Sequence, residues 1–206
     1  KLAPGDLAIL AGMPSSGKSA LADQAAWECA RSGTQAVMFS YEMSSRKKVI
    51  RIAQQIARMN IKQYDSVPMD KKLEFTEAVR QINACPNLHI YEHDNTVNKL
   101  SARCRTIHQK QPVGLIIVDF LQEIAEMEPP ASKNERTDER LGRICTMVKK
   151  LGRELNCPTI ILSSLNREGY KPGAIPSMAH LRSSGGIESK ADVVAMLYWP
   201  EENPRT

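Results

Sequence analysis

Gly12, Gly17, Lys18 and Ser19 stand in the spacing Gly-x-x-x-x-Gly-Lys-Ser, between an apolar run, Leu7 to Ala11, and a helix-forming run, Ala20 to Ala30. This is the pattern of a phosphate-binding loop in the context it requires: strand, glycine-bounded turn, helix. Along Pro14, Ser15, Ser16 and Gly17 the backbone turns its N–H groups inward. With the positive end of the new helix at Lys18, Ser19 and Ala20, they cradle a polyphosphate. Gly12 and Gly17 supply backbone angles and a close approach that a Cβ would obstruct. Lys18 reaches the β- and γ-phosphates, and the Ser19 hydroxyl completes the coordination of Mg2+. An ordinary Gly/Ser/Pro turn leaves the flanking strand and helix unexplained, so the expected ligands are a nucleoside triphosphate and Mg2+.

Such a site needs acidic partners. Asp119 closes the most apolar run of the chain, Gly114 to Val118, about 100 residues after the loop. A strand buried on both faces has this composition. In a parallel sheet the strand carboxyl ends line the ligand crevice, which predicts Asp119 as the magnesium-side carboxylate. Glu42 follows a second apolar run, Ala36 to Ser40, on a strand expected beside that of the loop. A carboxylate there can orient and deprotonate a water in line with the γ-phosphate. A glutamate favoured by the dipole of the following helix explains the residue equally well. Ser164, past the run Thr159 to Ser163, can sense a γ-phosphate, although strand-end capping is the simpler reading. Arg182, Ser183, Ser184 and Gly185 form a basic, glycine-containing loop with N–H groups free for a phosphate backbone, or else a surface turn. The basic residues of 46–58 and 99–110 read as solvated helix faces, and 5% aromatics give no stacking platform for bases.

The elements that must position these groups alternate. After the loop helix and the Ala36–Ser40 strand comes a helix capped at Ser44 or Ser45, with Val49, Ile52, Ala53, Ile56 and Ala57 on its inner face. A helix with Phe75, Val79 and Ile82 on one face ends before Pro86, and Leu88 to Tyr91 is a strand. Thr96 caps a helix with Val97, Leu100, Cys104 and Ile107 inward. After the Asp119 strand, residues 126–137 are polar and proline-containing and read as a mobile loop. A long helix follows with Leu141, Ile144, Cys145, Val148, Leu151 and Leu155 inward. Residues 166–180 read as a second flexible segment, and Val193 to Tyr198 as the last strand. The fold class is α/β, with a largely parallel sheet covered on both faces.

At 206 residues, 42% hydrophobic and 25% charged, the composition is that of one globular domain. No apolar run reaches the ~20 residues that span a bilayer, so no membrane partner is expected. The five cysteines show no metal-ligand spacing and read as buried, reduced thiols in a cytoplasmic protein. The net charge of +5 is compatible with a nucleic-acid partner without requiring one.

Seven blocks in order carry a resemblance: the phosphate loop at 12–19, Phe39-Ser-Tyr-Glu-Met-Ser-Ser, Leu115-Ile-Ile-Val-Asp-Phe-Leu-Gln, Arg136-x-x-Glu, Lys149-x-x-Gly-Arg-Glu-Leu, Pro158-Thr-Ile-Ile-Leu-Ser-Ser-Leu-Asn-Arg and Leu181-Arg-Ser-Ser-Gly-Gly-Ile-Glu. Together they resemble the motor domain of the DnaB-type replicative DNA helicases, within the RecA-like P-loop ATPases. The resemblance implies ATP as the nucleotide, Glu42 as the catalytic base, and Arg51 as a basic residue near the bound nucleotide. It implies Arg182 to Gly185 as a loop holding single-stranded DNA in the channel of a homohexameric ring, and 5′-to-3′ unwinding driven by hydrolysis. A primase and a helicase loader are partners it leaves open. The chain departs from the pattern at Ser164, where the family usually has Gln, and at Ser183, where it usually has an acid. Nothing after Tyr198 matches the family's trans-acting arginine finger. Residues 1–206 are therefore expected to be a RecA-like ATPase domain truncated at its C-terminal end and lacking the family's N-terminal domain and linker. Such a chain is expected to be monomeric and to bind ATP while hydrolysing it slowly. The rival readings are a RecA-like recombination or repair ATPase and a non-hydrolysing helicase-associated interaction protein.

Overall fold

In the computed structural model, residues 2–60, 65–170, 175–181 and 184–198 are described. The apolar runs become β1 (Leu7–Gly12), β2 (Gln35–Ser40), β3 (Leu88–Tyr91), β4 (Val113–Asp119), β5 (Thr159–Ser164) and β6 (Val193–Leu197). The helical periods become α1 (Lys18–Arg31), α2 (Ser45–Ala57), α3 (Met69–Ala84), α4 (Val97–Lys110), α5 (Leu121–Met127), α6 (Thr137–Glu154) and α7 (Ser184–Glu188).

The six strands form one sheet in the order β3-β2-β4-β5-β1-β6, and every pairing is parallel. One expectation is thereby corrected. The strand before Glu42 does not lie beside the loop strand, because β4 and β5 stand between β2 and β1. Parallel neighbours are joined by crossovers, and a crossover fixes no neighbour by itself: α1 carries the chain across two strand positions before β2 begins.

Strand alternation divides the core. Leu7, Ile9 and Ala11, with Val37, Phe39, Ile116 and Val118, face a layer containing α4, α5 and α6. Leu10, Met38, Leu115 and Ile117 face α1 through Ala22, Ala26 and Ala30. A smaller cluster joins α2 to α3 through Ile52, Ala53, Ala78 and Ile82. Each buried aliphatic or aromatic side chain contributes roughly 1.5–3 kcal/mol by leaving water. The inward residues expected of α4 and α6 are all buried. Ile56 of α2 is exposed instead. Ser44 caps α2 by accepting from the Lys47 N–H, and Thr96 caps α4 by accepting from that of Lys99. All five cysteines are free. Burial pushes the thiols of Cys145 and Cys157 up to about 12 and that of Cys104 further, which keeps them neutral.

Two segments differ from their expected character. Glu126 and Met127 belong to α5, and the following stretch is tied to α6. Arg143 grips Glu135 with Nε at 2.7 Å and Nη2 at 3.0 Å, and Arg140 reaches the same carboxylate at 3.3 Å. These guanidinium groups, Arg143 first, hold the Glu135 carboxyl down at about 2. A depressed carboxyl contributes stability above its ordinary pKa near 4.5, which is lost as pH falls through about 2. The tether is expected to hold at pH 5 and to release between about pH 4.5 and 2, read as proteolytic cleavage within residues 128–136 that rises over that window. Cleavage already as rapid at pH 7 would show that the ion pairs do not restrain the segment.

The second segment is the expected basic loop. Arg182 and Ser183 lie outside the described residues, as do 171–174 and everything from Trp199 on, but Ser184 and Gly185 open α7. This short helix is seated on α6 by glycine against glycine. A Cβ at Gly142 would stand 2.9 Å from the Gly186 carbonyl oxygen, and one at Gly186 would overlap the carbonyl oxygen of Asp138. Gly186→Val is therefore expected to force α7 off α6 and lower stability by about 1–3 kcal/mol, the usual range for overpacking. A thermal midpoint unchanged from wild type would refute that contact.

Candidate active site

All six strands run the same way, so Gly12, Ser40, Asp119 and Ser164 arrive at one edge of the sheet. Register completes the placement: Gly12 pairs with Ser164 across β1 and β5, and Ser40 pairs with Asp119 across β2 and β4. The Tyr41 N–H donates to the Asp119 carbonyl at 2.8 Å, carrying the β2 ladder one residue further toward Glu42. Pro14, Ser15, Gly17, Lys18, Ser19, Ala20, Glu42, Met43, Arg51, Asp119, Phe120 and Ser164 line a single cavity of about 580 Å3 at this edge. The structure thus unites residues from the loop after β1, α1, β4 and β5 with Glu42 and Met43 from the turn between β2 and α2, and Arg51 from α2.

The loop has the conformation its sequence called for. A Cβ on Gly12 would lie 2.7 Å from the Leu197 carbonyl oxygen, so only glycine fits where β1 passes β6. Gly17 has φ +98°, in the left-handed region that glycine adopts readily, and caps α1. The cap makes no side-chain hydrogen bond, and the first turn of α1 carries no acid. Its N–H groups are therefore available to an anion, and the helix dipole favours one there. The Ser16 hydroxyl is buried with no hydrogen-bond partner among the described residues. Lys18 folds back over the loop, its ammonium donating to the carbonyls of Gly12 and Met13 at 2.7 Å each. Burial pushes its pKa down, while the carboxylates of Asp119 and Glu42 oppose that shift.

Opposite the loop, Ser19 Oγ donates to Asp119 Oδ1 at 3.3 Å. A hydroxyl and a carboxylate oxygen this close suit Mg2+, a hard cation that takes oxygen ligands and keeps several waters. Glu42 is exposed at the rim. Ser164 sits at the floor. Its N–H donates to Gln122 Oε1 at 3.3 Å, and the Gln122 amide nitrogen donates to Ser163 Oγ at 3.0 Å. Gln122 therefore restrains the end of β5, where Ser164 borders the cavity.

Two site residues escaped the sequence reading. Lys48, grouped there with the solvated basic face of α2, is fully buried, as is Asp23 on α1. Lys48 Nζ donates to Asp23 Oδ1 at 2.9 Å and makes a close ion pair with Asp119 Oδ2. Asp23 Oδ2 in turn receives Arg51 Nε, and Arg51 Nη1 points to Met43 Sδ at 3.1 Å. A signal was present: Ser19, Asp23, Ala26 and Ala30 recur at helical spacing, so Asp23 falls on the inward stripe of α1. A charge on an inward stripe demands a buried counter-charge.

The family described as DnaB-like helicase C terminal domain matches residues 2–205. Over 198 residues the chain is 31% identical to the replicative DNA helicase DnaB of Geobacillus stearothermophilus and 32% identical to the replicative DNA helicase DnaC of Bacillus subtilis (strain 168). Each alignment takes in 94% of this chain and 43% of the relative, so the chain spans less than half the length of those curated relatives. Among solved structures, an ATPase domain superposes with a TM-score of 0.85 at 24% identity, covering 99% of this chain and 73% of that one. A DnaB-like replicative helicase, described with its interactions with primase, superposes with a TM-score of 0.86 at 23% identity, covering 99% and 49%. At those identities the two structures speak for the fold alone, and the expected RecA-like α/β architecture is borne out.

Proposed function

The chain belongs to the DnaB-like helicase C-terminal domain family, and on that premise we propose that it is the motor domain of a replicative DNA helicase, hydrolysing ATP to drive 5′-to-3′ movement of a hexameric ring along single-stranded DNA. The observation that carries the reading is the convergence of Lys18, Ser19, Asp119 and Glu42 on one cavity at the carboxyl edge of the sheet. The start of α1, which no side chain caps, receives the phosphates through its N–H groups. Lys18 exchanges the Gly12 and Met13 carbonyls for phosphate oxygens, which restores its charge partners on binding. Ser19 and Asp119 would hold Mg2+, whose charge offsets that developing on the phosphate oxygens. Glu42, at the rim, takes a proton from a water as the water oxygen bonds to the γ-phosphorus. The bond from that phosphorus to the β–γ bridging oxygen breaks, giving ADP and phosphate. Arg51 and Ser164 border the same space, and the Arg51 guanidinium would supply a further phosphate contact.

Arg182 to Gly185 would hold the DNA phosphates, the arginine by charge and α7 by its first N–H groups. The ring, a cytoplasmic location, and partnership with a primase and a loader are extended to this protein from its family. The recombination reading loses its ground with the family match. A fluorescent ATP analogue titrated in Mg2+ tests the proposal: wild type is expected to bind, and Lys18→Ala to bind at least about 100-fold more weakly, for a loss near 2.7 kcal/mol. Equal affinity in the two proteins would remove the loop from the binding site.

A further inference from the structure

Lys48 has no place in the chemistry above, yet it is a fully buried charge beside it. Its side chain has no exposure, and its two partners, Asp23 and Asp119, are 0% and 2% exposed. Burying three ionised groups is unfavourable unless each is paired and hydrogen-bonded, and these are. Lys48 divides its ammonium between Asp23 Oδ1 and Asp119 Oδ2, and Arg51 takes the second oxygen of Asp23. Two carboxylates are matched by two cations, in the order Asp119, Lys48, Asp23, Arg51.

This order has consequences for the cavity. With Oδ2 claimed from behind by Lys48, Asp119 presents Oδ1 forward, toward Ser19. Lys48 therefore fixes the rotamer of the one acidic side chain on the metal side of the site. It also offsets that carboxylate's charge in a region of low dielectric, where a neighbouring charge acts strongly. Asp23 moderates the effect by drawing the same ammonium away from Asp119. At the far end Arg51 reaches the cavity with a buried Nη2 that has no hydrogen-bond partner among the described residues.

We propose that Lys48 is a positioning residue that orients Asp119 and sets how much divalent cation nucleotide binding requires, with Asp23 as its counterweight. The inference rests on the nucleotide site proposed above. It requires loss of the Asp23 charge alone and loss of the Asp23–Lys48 pair to act in opposite senses. Removing Asp23's charge leaves the whole ammonium to Asp119, which should weaken the pull on the cation. Removing the Asp23–Lys48 pair together frees Asp119 Oδ2, which should strengthen it.

The measurement is the Mg2+ concentration giving half-maximal binding of the fluorescent ATP analogue, with thermal unfolding followed in parallel. D23N is expected to raise that midpoint, and D23L/K48L to lower it, each by about fivefold or more. The paired replacement exchanges a buried ion pair for apolar side chains, which proteins often tolerate without loss of stability. If it does not fold, D23N decides alone, measured at a temperature where its unfolding curve shows it folded; the isosteric amide preserves the packing although one buried charge is lost. Opposite displacements, or a raised midpoint in D23N alone, support the proposal. Midpoints within twofold of wild type, or displaced in the same direction, overturn it and leave Lys48 a structural ion pair. Failure of wild type to bind the analogue at any Mg2+ concentration would instead refute the nucleotide site itself.

Discussion

Lys48→Met is expected to destabilise the folded chain by about 3–5 kcal/mol, the usual consequence of removing one partner from a buried ion pair. Methionine has nearly the length and volume of the lysine stem, so the packing of α2 against α1 changes little. What changes is the charge balance. Asp23 and Asp119 would face each other across the vacated ammonium position, both nearly inaccessible to water, with only Arg51 remaining against one oxygen of Asp23. For a domain of this size each kcal/mol lowers the unfolding midpoint by about 2–4 °C, so a fall of roughly 6–20 °C is expected. D23L/K48L should recover a large part of it, because two of the three buried charges leave together. Calorimetry or urea unfolding of the two variants beside wild type measures both statements. If Lys48→Met unfolds within about 1 kcal/mol of wild type, in the range of an exposed pair, the ammonium is reached by water and the buried relay is not a structural element.

The second large effect belongs to Glu42. Glu42→Gln keeps the shape and hydrogen-bonding reach of the side chain while removing its capacity to accept a proton. Hydrolysis is expected to fall by about 10²- to 10⁴-fold, the range for loss of a general base. Nucleotide affinity should change little, since the phosphates are held by Lys18 and the start of α1. Single-turnover hydrolysis of radiolabelled ATP resolves slow rates as well as fast ones and separates binding from chemistry. A Glu42→Gln protein that hydrolyses at the wild-type rate would show that another group activates the water, and the alternative of a glutamate kept for the start of α2 would stand. A variant that fails to bind would place Glu42 among the binding groups instead.

Residue order along the chain was enough to specify the elements and the loop. Gly12, Gly17, Lys18 and Ser19 act through backbone conformation and reach within a few residues, which is local information. Strand and helix periods are local too, and all six strands were legible from their apolar runs. Asp119 was legible because a carboxylate ending a wholly apolar strand has few other reasons to be there. Contacts between distant segments came only with the folded chain. The place of β2, with two strands between it and β1, depends on how the crossovers pack, which no local pattern encodes. Gly186, just past a stretch that reads as a loop or turn, became the seat of α7 against Gly142 of α6, because only two facing backbones without Cβ atoms can approach so closely. Lys48 marks the boundary most clearly. On α2 alone it is one more cation in a basic helix, and its burial has meaning only once the sheet brings Asp119 to one side and α1 brings Asp23 to the other.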